Sequence, residues 1–106
     1  MKINLEKQLL YWQSGAEEDL EVAELLIEKE KYLHGLFYCH LVIEKILKAH
    51  VVKTTGQLAP RSHNLIYLSE KSKLYLDDDT LDFFGILMKY QLEGRYPGYK
   101  PFVPEK

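Results

Sequence analysis

The stretch LEKQLLYWQSGAEEDLEVAELLIEKE, residues 5–30, decides the fold class. Leu5, Leu9, Trp12, Ala16, Leu20, Ala23 and Ile27 recur along it at steps of three and four. Such steps gather side chains on one face of an α-helix, so the stretch predicts a single long amphipathic helix. Glu17, Glu18, Glu21 and Glu24 fall mainly off the stripe and are expected to face water. Gly15 interrupts the pattern at a cost of about 1 kcal/mol relative to alanine, which makes it a place for the helix to begin or bend.

Outward from this helix the same period returns. Residues 29–35 are short, polar and glycine-containing, which suits a tight helix–helix connection. A second helix is expected over residues 33–54, with Leu36, Phe37, His40, Ile43, Leu47 and Val51 on one side. Leu41, Ile46 and Ala49 widen that apolar face, and Lys45 and Lys48 fall at its edge. Gly56 is a plausible stop, and Pro60 prevents easy continuation. Ser62 or His63 is expected to open a shorter third helix carrying Leu65, Ile66 and Leu68. Asp77-Asp78-Asp79 followed by Thr80 is a helix-start signal, because carboxylates cap free N–H groups and favour the positive end of the helix dipole. The fourth helix is expected over residues 81–92, with Gly94 ending it. Residues 95–106 contain Pro97, Gly98, Pro101 and Pro104 and read as irregular. The expected fold class is all-α, an up-and-down four-helix bundle with a proline-rich tail, formed as one domain over residues 1–106.

The composition bounds the function. A chain of 106 residues, 46% apolar and 28% charged, is ordinary for one globular domain, and a core this small gains from dimerisation. The net charge of −2 gives no general attraction to nucleic acid or anionic lipid, so any basic contact needs a local patch. Cys39 is the only cysteine, which excludes an intrachain disulfide and a cysteine-based zinc site. No apolar run approaches membrane-spanning length, and the first residues lack a signal-peptide pattern, so a soluble cytoplasmic protein is expected.

Few residues carry catalytic signals. His34, His40, His50 and His63 never stand three or four apart, so no metal site is expected, and surface or interface positions are their plainest reading. Cys39 lies in an apolar stretch and reads as a small hydrophobe, with His40 badly placed to activate it. The six glycines form no phosphate loop, and no serine sits in a nucleophile elbow. Lys45, Lys48, Lys53 and Arg61, with Lys71 and Lys73 beyond, make a basic strip that could meet phosphates or an acidic partner. Eight tyrosines are many for this length. Tyr90, Tyr96 and Tyr99 crowd the C-terminal region with Phe102, a composition that suits an interface or a cover for the bundle's end.

The segment FYCHLVIEKILKAHVV, residues 37–52, resembles the hallmark of the HEPN family: an aromatic, a His, Glu-Lys, an aliphatic pair and Lys-Ala. Here these are Phe37, His40, Glu44-Lys45, Ile46-Leu47 and Lys48-Ala49. Trp12 with Asp19-Leu20, His63-Asn64-Leu65, and Arg95-Tyr96-Pro97 agree in order and spacing, so the resemblance covers most of the chain. It implies a helical bundle that pairs with a second copy. It also implies a partner of minimal nucleotidyltransferase type, in a two-component pair of toxin–antitoxin kind. The ribonuclease branch of the family carries an Arg, then four to six intervening residues, then a His. Arg61 leads to Ile66, Tyr67 and Leu68, and Arg95 to Lys100, Pro101 and Phe102, so the histidine is missing from both.

The resulting expectation is a non-catalytic HEPN-type module that homodimerises, partners a nucleotidyltransferase and contacts nucleotide or nucleic acid. The candidate binding residues are Asp19, Glu44, Lys45, Lys48, His63, Arg95 and Tyr96, with Arg95 as a counter-charge for Glu44. No catalytic residue, metal or cofactor is expected. The alternative is a ribonuclease toxin with a non-standard site using Arg61, His63 or Arg95.

Overall fold

The computed structural model describes residues 4–95, and the side chains of residues 4–89. Four helices follow in order: α1 (Leu5–Glu28), α2 (Tyr32–Thr55), α3 (Leu65–Lys71) and α4 (Asp78–Arg95). No strand occurs among the described residues. The all-α class and the helical bundle expected from the stripes are what the chain adopts.

Side chains set three of the helix starts. The Asn4 Oδ1 accepts the Lys7 backbone N–H at 3.1 Å, and the Asn64 Oδ1 accepts that of Tyr67 at 3.0 Å. The Asp77 Oδ1 accepts the Thr80 N–H at 2.8 Å, as the acidic triplet predicts. The start of α3 is a correction. The cap is Asn64 rather than Ser62 or His63, and the Ser62 Oγ instead accepts the Asn64 N–H at 3.1 Å, shaping the turn before the cap.

Glycine misleads at three positions. α1 runs through Gly15 unbroken. Gly35, read as part of the connection, lies inside α2 and is buried. A Cβ there would stand 2.7 Å from the Ile27 Cγ1, so this glycine serves close helix approach rather than a turn. α4 continues through Gly94, its expected end, to Arg95. A penalty of about 1 kcal/mol does not stop a helix by itself. The actual turn between α1 and α2 is shorter than expected. Glu30, at φ 63°, donates to the Ile27 carbonyl, and Lys31 donates to that of Leu26 at 2.8 Å, a Schellman closure without glycine. Among the described residues only Gly56, φ 68°, is a glycine that supplies a left-handed residue, as expected of a stop.

The core is built by three of the four helices. Leu47 and Val51 of α2, Leu65 and Leu68 of α3, and Phe84 and Leu87 of α4 are buried together. Cys39, Ile43 and Met88 pack around them. Two buried serines fit this apolar setting because their hydroxyls donate to backbone carbonyls, Ser69 to Leu65 and Ser72 to Leu68. α1 packs against α2 and, among the described residues, touches neither α3 nor α4. Its stripe therefore buries only the small residues Ala16 and Ala23 completely, while Leu5, Leu20 and Ile27 stay substantially exposed. Among the described residues the bundle is open on the α1 side, where a closed one would have covered the whole stripe.

Candidate functional site

α2 carries His40, Glu44 and Lys48 at successive steps of four, so their side chains stack along one helix face. All three are buried. Removing charge from water is expensive unless it is paired, and here the two charges meet each other. The Lys48 Nζ donates to the Glu44 Oε2 at 2.9 Å. The other carboxylate oxygen, Oε1, accepts from the Nδ1 of His63 at 3.0 Å, and the Nδ1 of His40 lies 3.5 Å from it. α1 closes the far side with Trp12, whose ring centroid is 5.1 Å from the Lys48 Nζ, within range for a cation–π contact.

His63 is gripped twice. Its ring is held by Glu44, and its backbone carbonyl accepts from the Nε2 of His40 at 2.9 Å. The short connection into α3 is thereby tied to the middle of α2. Because the Nδ1 faces a carboxylate, it carries the proton, and the imidazole's other nitrogen lies on a side chain that is 51% exposed.

A second charge pair lies on the same helix, one residue along. The Lys45 Nζ meets the Asp19 Oδ2 of α1 at 2.7 Å. The lysine stem crosses α1 over Gly15, where a Cβ would stand 3.0 Å from its Cδ. Gly15 is thus a notch for Lys45, a role its sequence context left unread.

These contacts sort the expected residues. Glu44, Lys48 and His63 come together, and Asp19 and Lys45 form a separate pair. Arg95 ends α4, and its side chain, like the whole of Tyr96, lies outside the described residues. So do the side chain of Tyr90 and the whole of Tyr99 and Phe102. Lys48 is a counter-charge of Glu44, while the expected pairing of Glu44 with Arg95 falls on a side chain outside the described residues. Two members of the basic strip are tied within the chain. Lys45 and Lys48 each end on their own carboxylate, so neither offers a free cation to a phosphate. His40, read as a surface or interface histidine on the apolar side of the helix, has no exposed area at all. It and Trp12 are the members that sequence reasoning missed. The His40/Glu44/Lys48 spacing held a signal for the first, while the second was marked only as part of the resemblance and not as a neighbour of Lys48.

The remaining chemistry is sparse. Burial raises the pKa of the Cys39 thiol above its ordinary value, which keeps it protonated and poorly nucleophilic. Although His40 and His63 both approach Glu44, no group of metal-ligating side chains forms a metal site among the described residues. Nor is any helix among them long and apolar enough to cross a membrane.

The arrangement defines a class: a small helical module with an internally neutralised polar cluster and an open apolar side. A family model described as the HEPN domain matches residues 9–106, and the chain belongs to that family. In general terms it is a nucleotide- or RNA-related module. No curated protein and no solved structure matches it.

Proposed function

We propose that the chain is a non-catalytic HEPN module that forms a homodimer and partners a minimal nucleotidyltransferase, with nucleotide or RNA as the ligand of the assembly. The observation that carries this reading is the uncovered side of α1. Leu10 and Tyr11 are each 64% exposed, and Leu20 and Leu25 are about half exposed. Large apolar side chains left exposed along one helix suit a protein contact. The polar residues meanwhile are largely committed to one another, which fits a scaffold better than a reaction centre. Family membership supports the nucleotide link, and the resemblance of residues 37–52 supports the nucleotidyltransferase partner.

Co-expression with a minimal nucleotidyltransferase from the same operon, followed by size-exclusion chromatography with light scattering, tests the assembly. A complex containing both chains is expected, and separate elution overturns the partner assignment.

One observation favours the rival reading, a ribonuclease. His63 presents a half-exposed imidazole oriented by a buried carboxylate, an arrangement able to move a proton. Arg61, two residues earlier, is exposed and could hold a phosphate. Incubation of the purified protein with RNA in chelator decides between the readings. Intact RNA is the expected result; cleavage that His63→Ala abolishes establishes the enzyme instead.

A further inference from the structure

We propose that the outer face of α1 takes a basic amphipathic helix from another protein. The inference rests on reading the uncovered side of α1 as a protein contact, and it names the chemistry of what docks there. Glu17, Glu21, Glu24 and Glu28 are exposed and follow one another at steps of four, three and four. They fall within about 60° of one another around the helix axis and form one ridge. Tyr11, Val22 and Leu25, exposed as well, fall within about 60° of one another on the adjoining strip. Ridge and strip lie opposite Ala16 and Ala23, the residues that α1 buries. Among the described residues α1 packs against α2 alone, so nothing there covers this face.

Charge selects the occupant. Residues 13–28 hold six carboxylates and no lysine or arginine, in a chain whose net charge is only −2. Asp19 is paired with Lys45, whereas the four ridge glutamates form no ion pair among the described residues. Their placement works against the helix that carries them. Carboxylates one turn apart repel each other, and Glu28 stands at the negative end of the helix dipole, in a last turn that holds no base. Cations set opposite the ridge relieve both. Apolar side chains beside those cations would cover Tyr11, Val22 and Leu25. A helix fits because it presents charged and apolar residues as two parallel strips at the same pitch. A second copy of α1 would bring the same carboxylates against the ridge, and nucleic-acid phosphates would be repelled as well.

The test is fluorescence anisotropy of the full chain with two labelled helical peptides. One is about five turns long, with leucines at steps of three and four and lysines between them; its twin carries glutamate at the lysine positions. The basic peptide is expected to bind, more weakly as ionic strength rises, and the acidic twin not to bind. Glu21→Lys/Glu28→Lys lowers the affinity at least ~10-fold while raising the melting temperature of the chain, so lost binding is not lost folding. Leu25→Ser, at a residue 55% exposed, also weakens binding, which attraction between charges alone would not do. Asp82→Lys, at an exposed residue of α4, leaves it unchanged. Equal binding of the two peptides, or binding indifferent to both α1 variants, overturns the proposal. A nucleotidyltransferase complex that still forms in that case leaves the contact reading standing. A chain that binds the basic peptide but no nucleotidyltransferase keeps this face and loses that partner.

Discussion

Lys48 shows how much one side chain does in this protein. It neutralises Glu44, lies over Trp12 and has almost no contact with solvent. Truncating one member of a buried ion pair strands the other, at a typical cost of ~3–5 kcal/mol. Lys48→Met keeps the stem and removes the charge, so urea unfolding should show a loss of about 3 kcal/mol. The double variant Glu44→Gln/Lys48→Met should lose less than the two single changes added together, because the stranded charge is gone. Asp77 offers a pH readout at the same scale. Its side-chain and backbone hydrogen bonds with Thr80 hold its pKa below the ordinary carboxylate value. A carboxyl whose folded pKa is depressed stabilises fully above its unfolded pKa and ceases to do so as pH falls through the folded one. Amide exchange protection in the first turn of α4 should therefore decline as pH drops below ~4, and Asp77→Asn should flatten that decline.

At the scale of elements, the hairpin of α1 and α2 depends on a glycine that looks like a turn residue. Gly35→Ala improves helix propensity by about 1 kcal/mol but pushes a methyl into Ile27. Overpacking of that kind costs typically ~1–3 kcal/mol, so a net loss near 1 kcal/mol is expected in denaturant titration. Pairing it with Ile27→Ala should recover part of that loss, which would tie the effect to the contact. Helix starts were easier to read than helix ends. Asn and Asp caps announce themselves, although Asn64 lay beside a serine with the same credentials. The ends of α1 and α3 place Glu30 and Lys73 at positive φ, 63° and 60°, where no glycine advertises a stop. A tertiary hairpin can impose the left-handed residue, and its cost of roughly 1 kcal/mol is offset by the bonds it closes.

For the whole molecule, the open side of α1 has a thermodynamic consequence. If two copies cover it, folding and association are linked, and the melting temperature rises with protein concentration. A thermal scan over a hundredfold concentration range should shift the midpoint upward by several degrees. A concentration-independent midpoint in the wild type speaks for a self-sufficient monomer. The same architecture explains the division of labour in the fold: α2 lies against all three other helices, takes the core on one side and bears α1 on another.

The amino-acid pattern by itself determined the helices, because periodic apolar residues and short-range caps act within a few turns of backbone. It also determined the stack of His40, Glu44 and Lys48, since a step of four is fixed by helix geometry alone. Only the tertiary structure decided that His63 would close on Glu44, that Trp12 would cover Lys48, and that Gly15 would admit Lys45. Those partners lie between 19 and 36 residues apart in the chain. Their meeting depends on which helix faces pack, and many packings share the same local periods. The half-bare stripe of α1 follows for the same reason: a sequence can specify an apolar face, but the neighbours that cover it are set by the packed whole.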